Sequence, residues 1–328
     1  MSVEDQKGQI LRYLVIHTGG TIGMVQTPSG FAPQPGIVEA EIKRLNHEVI
    51  PDSSLDVEAL RPLIDSALAS PADWSRIANT IKANYEAFDG FLVTHGTDTL
   101  VFTAAALCFA LQGLNKPVIL TGSMLPLTVE GSDGTENLVD AISALGKTPA
   151  GVWVQFSGNL LPGSRLIKKS SMDLDAFTAS KQSSEPLHSG NTLTLHPYPD
   201  VKIPILTLSP GISGDILDTV LSQVDGVVLR CYGAGTAPYS QSLEKAFRDA
   251  FNREVPILAV SQCYQGGVNL YTYQAGATLR ENGVLDGRDI TAEAAFVKLY
   301  HALGRGRDFD EIRSLLTTPL CDEMSQLK

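Results

Sequence analysis

At 328 residues, 43% hydrophobic and 7% aromatic, the chain is composed like a soluble globular protein and exceeds what one hydrophobic core usually organises, so two domains are expected. A formal charge of -11 and a pI near 5.0 repel nucleic acid and anionic membrane surfaces, which leaves a small molecule as the expected partner. No apolar run reaches membrane-spanning length, and the opening MSVEDQKGQI lacks the basic and apolar regions of a secretory signal, so a cytoplasmic location is expected.

In chain order, LRYLVIH (11–17), FDGFLVTHG (88–96), KPVILTGS (116–123) and AGVWVQFSG (150–158) are short, β-rich apolar runs. Strands that are apolar on both faces and separated by helical patterns indicate a parallel sheet covered on both sides. DTLVFTAAALCFALQGL and GTENLVDAISALG carry apolar residues at helical spacing and stop near Gly113 and at Gly146. From about 180 to 204 the rhythm gives way to Ser, Pro, His and Gly, the composition of a linker with room for one short strand. The alternation then resumes with IPILTLS, VDGVVLRCY and VPILAVSQC. The expected fold is α/β. Residues 1–185 form a larger N-terminal domain with a mostly parallel sheet between helices, 186–204 a linker, and 205–328 a smaller C-terminal α/β domain.

Ligands of open α/β sheets sit beyond the carboxyl ends of the strands, so the polar residues following each strand are the candidates. TGGTIG (18–23), HGTDT (95–99), TGS (121–123) and SGNLLPGSRLIKK (from 157) place threonines, glycines, an aspartate and a lysine on one rim. TGGTIG reads as a structural turn, a phosphate cradle or a nucleophile loop; its GGxxG spacing matches neither the dinucleotide fingerprint nor a Walker loop. Thr97 and Asp98 can grip an amino acid by hydroxyl and carboxylate, or cap the helix that follows. Lys168 and Lys169 read as a solvated pair, or as a base where burial holds a lysine partly neutral.

Other chemistries lack their patterns. His17, His95, His188 and His196 show no metal-ligand spacing, and neither a metal site nor a cofactor is expected. There is no GxSxG elbow for a serine hydrolase. Cys108, Cys231, Cys263 and Cys321 are too scattered for a disulfide framework and have no histidine beside them, so they are expected to be reduced and mostly buried.

TGGTIGM (18–24) together with HGTDTL (95–100) resembles the double signature of the bacterial asparaginase and glutaminase-asparaginase family. The resemblance continues through TGSMLPL (121–127), SDGTENL (132–138), SPGISGDIL (209–217), LRCYGAGTAP (229–238) and SQCYQGGVNL (261–270), and so spans nearly the whole chain. The YGAGTAP wording and ITAEAAFVKLYHAL from 290 are most similar to the cytoplasmic type I branch.

The resemblance implies an amidohydrolase acting on L-asparagine, or on L-glutamine as well, as a homodimer or homotetramer. It assigns Thr21 as nucleophile and Thr97, Asp98 and Lys168 as the second catalytic group. Ser66 takes the substrate α-carboxylate, Ser123 lies near its side-chain amide, and the backbone of Gly20 and Gly96 donates to substrate oxygens. Glu293 falls in a segment that in relatives approaches a neighbouring subunit's site. The stretch 24–36, with Gly30 and Phe31, is the expected lid. Two departures from the family stand out: Phe31 stands where a loop tyrosine is usual, and Ala67 and Leu68 follow Ser66 where a polar residue and an aspartate are common. Competing readings are the tRNA-linked amidotransferase subunit, a non-catalytic amino-acid sensor and an autoprocessing threonine hydrolase.

Overall fold

In the computed structural model, which describes residues 10–180 and 192–326, the apolar runs of the first half are strands of one sheet. The order is β1 (Leu11–Gly19), a hairpin of β2 (Met24–Thr27) and β3 (Gly30–Pro33), α1 (Ile37–Val49), β4 (Ser53–Ile64), α2 (Pro71–Asn84), β5 (Gly90–Thr94) and α3 (Leu100–Ala110). Then come β6 (Leu111–Gln112), β7 (Pro117–Thr121), α4 (Gly134–Leu145), β8 (Gly151–Phe156), β9 (Asn159–Pro162), β10 (Leu166–Lys168) and β11 (Phe177–Ala179). The sheet runs β4-β1-β5-β7-β8-β9 and is parallel except for the β8–β9 hairpin. Leu14, Ile16, Phe91 and Val93 pack under α2 and α3, while Tyr13, Val15, Leu92 and Ile119 pack under α1 and α4. Burial on both faces is why these strands read as unbroken apolar runs.

Several elements of this domain lie outside the sequence expectation, among them β4, α1 and α2. β4 is an edge strand whose burial alternates and which contains Pro62, so it never shows a continuous apolar signal. α1 and α2 each open with an acidic side chain of the first turn accepting from the backbone N–H before the helix: Glu39 from Gly36 N and Asp73 from Ser70 N, both at 3.0 Å, with Pro71 at the first helical position of α2.

The described part of the expected linker runs along the first domain. β12 (Thr194–Leu195) pairs antiparallel with β6, Lys82 Nζ donates to Leu193 O at 2.7 Å, and Tyr198 packs edge-on against Trp74. Its first part, to residue 191, lies outside the described residues. The second domain follows as β13 (Ile205–Thr207), α5 (Gly214–Leu221), β14 (Val227–Cys231), α6 (Gln241–Asn252), β15 (Ile257–Ser261), α7 (Ala277–Glu281), β16 (Leu285–Asp286), α8 (Ala292–Arg305) and α9 (Phe309–Thr317). Its sheet, β13-β14-β15-β16, is wholly parallel.

α3 is apolar around its whole circumference because it is enclosed: Leu100, Ala104 and Leu107 belong to the first domain's core, Ala105, Ala106 and Phe109 to the core built on α8. The C-terminal segment closes the same junction. Arg165, fully buried, pairs with Asp289 at 3.0 Å and donates Nε to the Asp322 carbonyl, and Lys298 meets Glu323 at 2.5 Å with both side chains wholly buried. All four cysteines are free; Cys108 and Cys231 are buried, Cys321 is partly buried and Cys263 is exposed. No helix among the described residues is long and apolar enough to cross a membrane.

Candidate active site

Because β1, β5 and β7 run parallel, the loops leaving their carboxyl ends open on one edge of the sheet. They meet backbone to backbone. A Cβ at Gly20 would fall on the peptide between His95 and Gly96, one at Gly96 on the Ser66 side chain, and one at Gly122 on the His95 carbonyl. Gly20 also has φ 90°, a conformation open to glycine at no steric cost. These contacts bring the TGGTIG, HGTDT and TGS segments and Ser66 into one site, with Thr21 and Thr97 each directly after a touching glycine.

Thr21 opens a single 3-10 turn over residues 21–23 and is half-buried. The turn is tied to the loop after β7, since Leu127 N donates to Ile22 O at 3.2 Å and Thr128 Oγ1 to Met24 O at 3.2 Å. That loop is braced in turn by α4. The Asp133 carboxylate accepts from Met124 N and Leu125 N at 2.9 to 3.0 Å, and Asn137 Nδ2 donates to Gly122 O and to Asp133 Oδ2. Ser123 is buried and its hydroxyl donates to Leu125 O at 2.6 Å. Asp133 and Asn137 had no role in the sequence reading; an aspartate at a helix start with an asparagine one turn on was the available signal.

Lys168, the last residue of β10, donates from Nζ to Thr97 Oγ1 at 3.2 Å and to Asp98 Oδ1 at 2.9 Å. Its side chain is 20% exposed, whereas that of Asp98 is 65% exposed. With Oγ1 accepting from the ammonium, the buried Thr97 keeps its own proton to offer elsewhere. Lys169, one residue past the end of β10, pairs instead with Asp175 at 2.5 Å. The solvated reading therefore holds for Lys169 and fails for Lys168.

Two family models cover the chain: Asparaginase, N-terminal matches residues 12–196, and Glutaminase/Asparaginase C-terminal domain matches residues 202–316. The chain belongs to the asparaginase family. It is 34% identical over 330 residues to L-asparaginase 1 of Escherichia coli strain K12, covering 95% of this chain and 97% of that protein. The solved thermostable L-asparaginase from Thermococcus kodakarensis is similar at a TM-score of 0.89 and 32% identity, covering 97% of this chain and 100% of its own. L-asparaginase I from Vibrio cholerae follows at 0.86 and 30%, with the same coverage. The larger, mostly parallel N-terminal domain and smaller parallel C-terminal domain are the architecture of these structures.

The residues at the two expected departures have defined surroundings. The Ser66 turn is held from both ends: Thr99 Oγ1 donates to Ser66 O at 2.7 Å, and the Asp65 carboxylate accepts from Ala67 N at 3.0 Å. Ser66 itself is buried, but Ala67 and Leu68 turn outward, Leu68 being 79% exposed, and offer no polar group. Phe31 lies on β3 opposite Gln26, half in solvent, and Gln34 N donates to Gly23 O at 2.9 Å, joining the hairpin to the Thr21 turn. Gly30 makes the tight end of that hairpin, with φ 114° and open space around it. No tyrosine occurs between residues 24 and 36.

Glu293 lies on α8. In the first turn of α8 it lines a cleft of about 310 Å³ with Arg230, Ser261, Gln262 and Ile167, the neighbour of Lys168. Burial pushes its carboxyl pKa up, against its own backbone N–H and Arg230. His17 and His95, beneath the strand ends, both have their pKa lowered by burial. Among the described residues no cluster of three or more His, Cys, Asp or Glu side chains is arranged to hold a metal ion.

Proposed function

We propose that the chain hydrolyses L-asparagine to L-aspartate and ammonia through a covalent threonine ester. Thr21 Oγ1 attacks the side-chain amide carbon and its proton passes to the leaving nitrogen, so that ammonia departs. Water then hydrolyses the β-aspartyl ester, releasing aspartate and restoring the hydroxyl. Thr97 and Lys168 handle the proton, Asp98 holds Lys168 or the substrate ammonium, and Ser66 takes the α-carboxylate. Backbone N–H groups around Gly20, Gly96 and Ser123 stabilise the oxyanion, and the β2–β3 hairpin serves as the lid. The observation that carries this reading is the Lys168–Thr97–Asp98 contact beside a loop locked against the Thr21 turn by Gly20 and Gly96.

The same reading makes the protein a cytoplasmic homodimer or homotetramer that needs no cofactor and engages neither nucleic acid nor membrane. Its division is 1–185, 186–204 and 205–328. Glutamine differs from asparagine by one methylene, a distinction of about 1–3 kcal/mol in a pocket, so turnover of both amides remains part of the proposal. Steady-state ammonia release from L-Asn, L-Gln and D-Asn tests it. A pure, folded protein that releases no ammonia from L-Asn is a binding homologue rather than an enzyme.

A further inference from the structure

We infer that His17 is a positioning residue: its hydrogen bond to Thr94 locks the last regular rung between β1 and β5, and so sets Thr21 against Thr97. The inference rests on the threonine mechanism proposed above, in which both residues act on one substrate.

His17 and Thr94 are register partners on the two adjacent parallel strands. His17 Nδ1 and Thr94 Oγ1 lie 2.8 Å apart, both side chains are buried, and Thr18 Oγ1 donates to Thr94 O at 2.7 Å. Immediately beyond, regularity ends: the register of β1 with β4 slips between His17 and Gly19. Thr21 follows His17 by four residues and Thr97 follows Thr94 by three, so this is the last β1–β5 register pair before the chain reaches either. The imidazole also lies under the Thr21 turn, since a Cβ at Gly23 would sit 3.4 Å from both Cε1 and Nε2.

The surroundings do not otherwise call for a histidine. Its face of the sheet is the apolar layer of Tyr13, Val15, Ile22 and Val38, where an unbonded imidazole is costly and an aliphatic side chain would pack more cheaply. The charged group acting on the ring is Glu39 of α1, whose pull is outweighed by burial, so the ring stays neutral at pH 7 and its hydrogen bond is with the Thr94 hydroxyl.

The test separates the two ring positions in the full-length protein. His17→Asn puts a polar group where Nδ1 stood, His17→Gln where Nε2 stood, and His17→Leu nowhere. His17→Leu, His17→Gln and Thr94→Val should each lose about 10- to 100-fold in kcat for asparagine, the scale of a small misplacement of reacting groups. KM should stay within about twofold, and His17→Asn and Thr94→Ser should keep most of the parent rate. The double variant His17→Leu/Thr94→Val should be no slower than either single one. Equal rates for His17→Gln and His17→Asn, additive losses in the double variant, or parent-like kcat in folded His17→Leu would each overturn the inference. If His17→Leu does not fold, Thr94→Val against Thr94→Ser decides the matter. A parent protein without activity would instead refute the mechanism, leaving the bond visible in the imidazole ¹⁵N shifts, which change in Thr94→Val.

Discussion

Replacing Lys168 by Met removes an ammonium group while keeping a side chain of similar length on β10. Two interactions disappear, and they have different consequences. The contact with Asp98 is an ion pair to a carboxylate that is 65% exposed, and such pairs stabilise a fold by about 0–1 kcal/mol. The contact with Thr97 Oγ1, at 3.2 Å and buried on the threonine side, is the one in a position to act on the reaction. Loss of a proton-transfer partner lowers rates by about 10²–10⁴, equivalent to about 3–5 kcal/mol of barrier. The rate effect should therefore far exceed the stability effect, with kcat falling and KM for asparagine little changed. Coupled ammonia assays give the first and a denaturant titration the second. A kcat within threefold of the parent, or a loss confined to KM, would return Lys168 to a structural or binding role.

Thr21→Val removes the proposed nucleophilic oxygen at nearly constant volume and should abolish turnover while the protein still binds aspartate; substantial residual hydrolysis would point to Thr97 as nucleophile. Phe31→Tyr adds one hydroxyl to a half-exposed ring on the hairpin and should raise kcat for asparagine at little cost in stability; an unchanged or lower rate with the fold intact counts against the lid assignment. Lys298→Met strands a fully buried carboxylate and should cost about 3–5 kcal/mol, whereas Lys298→Met with Glu323→Leu should recover most of it in urea unfolding. Burial pushes the Glu323 carboxyl up, but Lys298 and the N–H groups of Leu320 and Cys321 more than reverse this and hold it below its ordinary 4.5. Its share of stability is thus complete above that pH and is lost as pH falls through the lower folded value, a dependence that should vanish in Glu323→Gln.

The strands that carry the site were legible in sequence for a physical reason. β1, β5, β7 and β8 are buried on both faces, so their composition announces them, and parallel pairing then forces their polar carboxyl ends onto one rim. β4 was not legible because an edge strand alternates, and with it went the placement of Ser66, which only family resemblance supplied. Lys168 and Lys169 are indistinguishable by composition; the β10–β11 pairing includes Lys168 and ends before Lys169, and it is Lys168 that meets Thr97. His17 looked inert because its partner lies in a segment distant in sequence, and only strand register makes the two adjacent.

α3 belongs to both cores at once, and that has a consequence for how the molecule comes apart. A helix with an aqueous face can survive the departure of whatever covers its apolar stripe, but α3 has no such face to fall back on. Withdrawing α8 would bare Ala105, Ala106 and Phe109 to water, and withdrawing the first sheet would bare Leu100, Ala104 and Leu107. Neither half can loosen without taking the shared helix with it. The two sheets thus behave as a single cooperative body when heated, and heat inactivation should coincide with global melting instead of preceding it.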